Sequence, residues 1–255
     1  MALSQSVFRF SLYRTLLVIA CLTTIVGAPP ALTQTTDSKI TKKKFTPSMD
    51  VSLGLFGQLT PTRTPITTMR ETNGVDITQI TQGTSPSAGV LGTFHQSIKP
   101  WLGYNVNLGY SRFSESYSLG HTFVPDQPSM VSPPSSFSQG SIGTNMYETT
   151  IAYVVQGPKA RQFTTFAQFG GGGLWFLPTT DLKAYNEQVR AAMLFGVGMN
   201  YKFSEHFGIR AEYRGLFYKN PDFAYTINLA PINKMFTVTN QPTISVVYTF
   251  GGEKK

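Results

Sequence analysis

Residues 189–203, VRAAMLFGVGMNYKF, decide the fold class, because bulky apolar side chains recur in them at every second position. The intervening positions hold mostly small or polar residues, among them Arg190, Asn200 and Lys202. A period of two is the side-chain period of a β-strand, so this segment is predicted to be a strand with two different faces. The residues of its apolar face are Val189, Ala191, Met193, Phe195, Val197, Met199, Tyr201 and Phe203.

The same alternation recurs from residue 47 onward and predicts eight strands, which are separated in turn by short and long breaks. A meander with short turns at one end and long loops at the other is typical of a transmembrane β-barrel with both chain ends on the short-turn, periplasmic side. The predicted strands are 48–59, 86–98, 101–113, 142–156, 162–175, 188–203, 208–218 and 241–250. The short turns are 99–100, 157–161 and 204–207, and the long loops are 60–85, 114–141, 176–187 and 219–240.

Composition excludes several other classes of protein. The chain has 255 residues, of which 41% are hydrophobic, 13% aromatic and 13% charged, and it contains 23 glycines. Disordered chains carry more charge and fewer aromatic residues. Glycine and aromatic residues are weak helix formers, which argues against a helical bundle. The only apolar run close to a membrane-spanning length, 16–28, is at the N-terminus, so a polytopic helical membrane protein is excluded as well.

We therefore predict an all-β fold, a closed eight-stranded antiparallel up-and-down transmembrane β-barrel, over residues 47–250. The rival is a soluble barrel of the lipocalin type, which keeps its apolar residues inside. Here the apolar face holds more large side chains than a narrow lumen can accept, which favours apolar residues outside. A tilted strand of about 12 residues spans about 30 Å, the thickness of the hydrocarbon layer.

Residues 1–31 are predicted to be a secretory signal peptide that is removed on export. Arg9 and Arg14 form its basic start, 16–26 its apolar core and 27–31 its small-residue end. The only cysteine, Cys21, loosely resembles a lipoprotein processing site, but the apolar run continues past it. Removal of the signal leaves a chain that needs no disulfide.

The segments on either side of the predicted barrel are basic. Residues 32–46 are predicted to be a basic periplasmic segment and 251–255 a C-terminal tail, with lysines at 42–44 and 254–255. Such runs are usually solvated, and contact with anionic lipid headgroups is the functional alternative. The other basic residues are scattered, so no nucleic-acid partner is expected.

Four stretches of the sequence resemble the small OmpA/OmpX-type outer-membrane barrels, a porin-like β-barrel family. FGVGMNYKF (195–203), SEHF (204–207) and GIRAEYR (208–214) are similar to the penultimate hairpin of that family. VVYTF (246–250) resembles its C-terminal strand, in which Tyr248 and Phe250 would form the signal for the barrel-assembly machinery; five residues follow Phe250 here. The resemblance implies a cell-surface protein in the outer membrane of a Gram-negative bacterium.

The strand parity predicts which polar side chains enter the lumen. A small barrel is just wide enough to be filled by its own side chains, so these residues are expected to pack as a polar plug. We predict a cross-lumen ion pair between Glu148 and Arg210 or Arg214. A narrow conduit with slight anion preference is the alternative. The predicted lumen residues are His95, Asn105, Asn107, Glu148, Gln168, Arg190, Lys202, Arg210, Glu212 and Arg214.

Aromatic residues cluster at the strand ends, where amphipathic rings favour the headgroup level of a membrane. Near the long loops, this prediction also includes Phe113, Phe176 and Tyr218. Outer-membrane lipid is therefore an expected partner, and the barrel is expected to be monomeric. The predicted membrane-interface residues are Trp101, Tyr110, Trp175, Tyr201, Phe203 and Phe217.

No enzyme activity, metal or cofactor is expected. His121, with Ser118 and Glu115 upstream, is the best catalytic candidate, but nothing in the sequence holds the three in register. The run Gly170–Gly173 lacks the lysine and helix of a phosphate-binding loop and is expected to mark close packing or a bend. The predicted function is a structural or surface-interaction role through long extracellular loops. The alternatives are a small solute pore and a lipid-modifying outer-membrane enzyme.

Overall fold

The computed structural model describes residues 47–62, 66–71, 73–127, 135–179, 187–221 and 236–250. The predicted signal peptide (1–31), basic segment (32–46) and tail (251–255) lie outside the described residues. Within the described ranges, no helix has the length and apolar character needed to cross a membrane.

The described ranges form ten strands. The predicted number of eight is therefore not the number of strands in the structure. The strands are β1 (Met49–Gln58), β2 (Ile66–Glu71), β3 (Gly74–Thr84), β4 (Ser87–Lys99), β5 (Leu102–Pro125), β6 (Ser136–Ala160), β7 (Phe163–Pro178), β8 (Gln188–Lys202), β9 (Phe207–Lys219) and β10 (Phe236–Phe250).

The strand pairings form a ring. β1 pairs with β4, and β4 to β10 then pair in chain order, all antiparallel. β10 pairs in turn with β1, from Met49↔Phe250 to Phe56↔Thr243, so the ladder returns to its starting strand. The antiparallel up-and-down order predicted from the sequence is confirmed.

β2 and β3 lie outside this ring, in a segment predicted to be the long loop 60–85. β3 pairs with the outer part of β5, from Gly74↔Pro125 to Thr84↔Glu115, and β2 pairs with β3. β5 and β6 also continue through much of the predicted loop 114–141 and stay paired out to His121↔Ser136. The composition of these segments, rich in threonine and serine, suggested loops, whereas threonine is β-branched and fits a strand when a partner strand is present.

Burial alternates along the ring strands in the predicted sense. On β1, Leu53 and Leu55 are 70% and 62% exposed, whereas Ser52 is buried. On β10, Ile244 is 60% exposed while its neighbour Ser245 is buried. At these positions large apolar side chains point outward and small polar ones inward, the reverse of a soluble barrel.

The glycine run of β7 lies within a strand and packs closely against β6. A Cβ atom added at Gly170 would lie 2.0 Å from the Ile151 carbonyl oxygen, and one at Gly172 would lie 2.1 Å from that of Thr149. Only glycine permits this approach of two backbones. The close packing expected for this run is therefore present.

Candidate functional site

Most of the predicted lumen residues are buried on the inner face of the ring. Arg190 is half-buried near the outer end of β8, where its Nη2 donates to Gln188 Oε1 over 2.6 Å. Lys202 has inward parity, but it is the last residue of β8 and is exposed at the rim, so it does not belong to the buried lumen. The buried members are His95, Asn105, Asn107, Glu148, Gln168, Arg210, Glu212 and Arg214.

An ion pair crosses the middle of the lumen. Arg214 Nη2 donates a hydrogen bond to Glu148 Oε1, and both side chains are 0% exposed. β7 and β8 separate their strands in the ring, so the pair joins nearly opposite walls. Arg214 also donates to Gln241 Oε1 over 2.9 Å, and Thr150 Oγ1 donates to Glu148 Oε1 over 2.8 Å. Of the two partners predicted for Glu148, Arg214 is the one present.

A second ion pair lies nearer the short turns. Arg210 Nη2 donates to Asp50 Oδ1 over 2.9 Å, and Arg210 Nε donates to Asn200 Oδ1 over 2.8 Å. The Arg210 guanidinium also stacks over the Phe166 ring, with its carbon 5.6 Å from the ring centroid. The contacts of Arg210 therefore link β1, β8 and β9.

Amide and imidazole side chains near Arg210 connect further strands across the lumen. His95 Nδ1 donates to Asn105 Oδ1 over 2.7 Å, and Asn105 Nδ2 donates to Gln168 Oε1 over 3.0 Å. Gln168 Nε2 in turn donates to Glu212 Oε2 over 3.1 Å. The chain of hydrogen bonds thus runs from β4 through β5 and β7 to β9. A cavity of about 10 Å³ beside His95 and Arg210 has room for about one water molecule.

Sequence reasoning missed two inward carboxylates, Asp50 and Glu115. Asp50 is held by Arg210, and Glu115 accepts a hydrogen bond from Gln82 Nε2 on β3. Together with Glu148 and Glu212 they offset the inward arginines. The slight anion preference predicted for an open lumen therefore loses its basis.

An apolar layer fills the lumen on the outer side of the central ion pair. Phe113, Phe176 and Tyr218 were predicted at the membrane interface, and this was wrong: they are buried inside, 4%, 0% and 2% exposed. Phe176 lies 6.4 Å from Phe113 and 5.6 Å from Tyr218 between ring centroids. Counting by twos from Arg214 along β9 leads to Leu216 and Tyr218, so parity alone could have placed Tyr218 inside.

The six residues predicted at the membrane interface point outward. Trp101 and Phe203 are about half exposed at the short-turn end, where the tilted rings of Phe163 and Tyr201 pack with centroids 4.8 Å apart. Nearer the long-loop end, the ring centroids of Tyr110 and Tyr147 lie 5.1 Å apart. Trp175 and Phe217 also lie near that end.

The C-terminal aromatic pair lies on the same outer face. Tyr248 and Phe250 pack edge to face with centroids 4.9 Å apart, and Phe207 packs against Tyr248 at 5.2 Å. Recognition of this strand by the barrel-assembly machinery stays a prediction.

The residues weighed for catalysis are not brought together. His121 Nε2 lies 2.9 Å from Asp76 Oδ2, on an adjacent strand. Ser118 is three positions from His121 and so lies on the opposite face of β5, while Glu115 binds Gln82. Within the part of the chain that the structure describes, no group of three metal-ligating side chains is placed to hold a metal ion.

Comparison with known proteins gives likenesses of fold only. No protein-family model matches the sequence, and no curated protein matches it. Ail, the attachment invasion locus protein of Yersinia pestis, solved with the heparin analogue sucrose octasulfate, is 10% identical, with a TM-score of 0.43 over 81% of this chain and 100% of that one.

Two further solved structures are named as outer-membrane proteins. OprG of Pseudomonas aeruginosa is 11% identical, with a TM-score of 0.48 over 80% of this chain and 96% of its own. The protease OmpT of Escherichia coli is 10% identical, with a TM-score of 0.30 over the same shares. The similarity to outer-membrane barrels predicted from the sequence thus recurs among solved structures, but likenesses this distant carry no argument about the role of the chain.

Proposed function

We propose that this protein is an integral outer-membrane barrel of eight ring strands, with an occluded lumen, that serves as a scaffold for a surface-exposed sheet. The apolar outer face of the ring supports the membrane assignment, because a closed ladder satisfies its own backbone hydrogen bonds and needs no water along its wall. The closed β1–β10 pairing leaves these strands without a free edge between Met49 and Phe56.

The buried ion pair of Glu148 and Arg214 is the main observation that supports an occluded lumen. It spans nearly opposite walls, and Gln241 and Thr150 surround it with further hydrogen bonds. The apolar layer around Phe176 fills the lumen at a second level, on the outer side of this pair. A solute would have to displace both layers, so the solute pore is the weaker alternative.

The surface role is supported by a sheet that continues past the ring. β6 stops pairing with β7 at Thr144↔Pro178, whereas its pairing with β5 continues to His121↔Ser136. β5 has 24 residues, an extended length of about 80 Å at about 3.3 Å per residue, far more than a bilayer needs. We call β2, β3 and the outer parts of β5 (116–125) and β6 (136–141) the protruding sheet.

Side-chain contacts join different parts of the protruding sheet. Arg70 and Asp126 form an ion pair with a 2.8 Å distance, and His121 contacts Asp76. Phe137, Met69 and Ile66 are 63–69% exposed, so apolar side chains are displayed on a polar sheet. Exposed apolar groups on a fixed scaffold are common features of binding sites.

The occluded lumen is tested by refolding the mature chain into a planar bilayer and recording single-channel currents, with insertion verified by a heat-dependent gel shift. We expect an inserted barrel without discrete openings. Reproducible openings would favour the pore alternative, and a chain without a heat-dependent shift would contradict the membrane assignment.

The surface role needs a separate test in cells. A variant that joins Glu115 to Ile142 by a short turn removes the outer parts of β5 and β6 at a register position where the two residues face each other. In a strain lacking the protein, we expect this variant to insert but fail to restore the phenotype that the wild-type chain restores. Restoration of the phenotype by the shortened chain would show that the function does not need the outer parts of β5 and β6.

A further inference from the structure

Four basic side chains surround the short-turn end of the barrel. Lys99 ends β4, Lys159 lies near the end of β6, Arg161 is in the β6–β7 turn, and Lys202 ends β8; all four are exposed. In the part of the chain that the structure describes, none of the four forms an ion pair.

Among the residues that the structure describes, few carboxylates oppose these cations. Glu205, in the β8–β9 turn, is exposed among them. Asp50 also lies at this end of the barrel, but it points inward and binds Arg210 over 2.9 Å. The outer surface of the described part of this rim therefore carries an excess of positive charge.

Lys159, Arg161 and Lys202 lie at two neighbouring turns. The Lys202 backbone N–H donates to the Gln162 carbonyl over 3.0 Å, which places the end of β8 beside the turn that holds Arg161. Phe163 and Tyr201 pack across the same junction, with ring centroids 4.8 Å apart. Charged groups and outward aromatic rings thus alternate along one part of the rim.

The fourth cation shows the same combination. Lys99 Nζ lies 5.7 Å from the centroid of the Trp101 ring, and Trp101 is 52% exposed. The Trp101 carbonyl accepts a hydrogen bond from the Gln156 N–H over 2.8 Å, so this turn adjoins the end of β6. The basic and aromatic surface is therefore continuous from β4 to β8.

The backbone at Arg161 adopts a conformation that is unusual for arginine. Its φ is 54°, in the left-handed region, and it is the only such non-glycine residue in the described ranges. Glycine or asparagine usually occupies this conformation, because a larger side chain strains it. An arginine here places a guanidinium at the tip of the turn in spite of that strain.

We propose that this rim, formed by Lys99, Lys159, Arg161 and Lys202 with Trp101, Phe163 and Tyr201, binds the headgroups of anionic phospholipids in the adjoining leaflet. The inference rests on the proposed membrane location. Aromatic rings settle at the glycerol and headgroup level, and cations beside them meet the lipid phosphates. A phosphodiester whose headgroup carries an ammonium group is zwitterionic, so the net positive rim selects headgroups that carry no compensating amine.

The test uses Trp101 as a reporter of its neighbouring lipids. The chain has two tryptophans, and Trp175→Phe leaves Trp101 alone. The mature chain is inserted into phosphatidylcholine vesicles in which a fraction of the lipid is brominated phosphatidylglycerol or, in parallel, brominated phosphatidylcholine. Bromine quenches tryptophan at short range, so the ratio of the two quenching constants measures the preference for the anionic lipid.

We expect phosphatidylglycerol to be preferred about threefold, and the preference to fall when salt is raised from about 0.1 M to about 1 M. The combined variant Lys99→Gln, Lys159→Gln, Arg161→Gln and Lys202→Gln should bring the ratio close to one. The matched control, Arg112→Gln with Lys219→Gln, removes cations nearer the other end and should keep the preference. Single Gln variants provide the same test if the combined variant does not fold.

The possible failures are distinguishable. Equal quenching by both lipids in the wild-type chain, or a preference that the four substitutions leave unchanged, overturns the headgroup site while leaving the barrel in the membrane. Absence of quenching by either lipid overturns the proposed membrane location, and this inference with it.

Discussion

Arg214 on β9 donates a hydrogen bond to Glu148 on β6, and neither side chain has any exposed surface. The two charges neutralise each other in a layer from which bulk water is excluded. Charges at such depth are tolerated only when they are paired and hydrogen-bonded. The pair therefore both closes the lumen and ties nearly opposite walls of the ring.

Replacement of Glu148 alone should strongly destabilise the barrel. Glu148→Ala leaves the Arg214 guanidinium buried without its counter-charge, and we expect the free energy of unfolding to fall by about 3–5 kcal/mol. Urea unfolding of the chain in lipid vesicles measures this. Glu205→Ala, at an exposed turn position, is the matched control and should change stability by less than about 0.5 kcal/mol.

Replacing both partners of this pair should restore much of what the single change removes. Glu148→Leu with Arg214→Met leaves no unpaired charge, and such exchanges are often neutral. We expect the double variant to be at least about 2 kcal/mol more stable than Glu148→Ala. A Glu148→Ala loss below about 0.5 kcal/mol would show that the pair does not stabilise the barrel.

The outer wall predicts a contrast between two exposed apolar residues. Val197 on β8 is 61% exposed and Phe137 on the protruding sheet is 69% exposed. If lipid surrounds the ring and water surrounds the protruding sheet, Val197→Arg should lower stability by about 2–4 kcal/mol, whereas Phe137→Arg should be close to neutral. Equal effects in vesicle unfolding experiments would argue that both residues contact the same solvent.

The close approach of β7 to β6 predicts that Gly172 cannot carry a side chain. A Cβ at Gly172 would lie 2.1 Å from the Thr149 carbonyl oxygen, whereas one at Gly92 would be 3.8 Å from that of Leu108. We expect Gly172→Ala to destabilise the barrel by about 1–3 kcal/mol. Gly92→Ala, the control, should be neutral or slightly stabilising, and both are measured by thermal loss of the gel shift.

The strand wall could be predicted because burial on one face imposes a period of two on the sequence. The alternation of 189–203 appears in the structure as the outward and inward faces of β8. The inward placement of Arg210, Glu212 and Arg214 follows from the same parity. The partner of Glu148 was left open between two arginines, because barrel shear, which sets the level of each strand, is not encoded in the period.

The protruding sheet and the apolar layer were not predicted, for different reasons. β2 and β3 form because β5 continues outward and offers an edge, a long-range pairing that local composition does not reveal. Phe176 and Tyr218 were assigned by their position at a strand end, and parity was not applied to them. Asp50 has the same inward parity as Ser52 on β1, so its placement could have been predicted, whereas its pairing with Arg210, on a strand distant in sequence, could not.

The most direct test of an apolar wall around a packed lumen is a nitroxide scan of β10. Single cysteines are placed one at a time at 243–248, labelled in vesicles, and their collision rates with oxygen and with a water-soluble nickel chelate are measured. We predict strong oxygen collisions at 244, 246 and 248, weak ones at 243, 245 and 247, and weak nickel collisions throughout. Strong nickel collisions at 243, 245 and 247 would reveal a water-filled lumen, and strong ones at 244, 246 and 248 would contradict the membrane-spanning barrel itself.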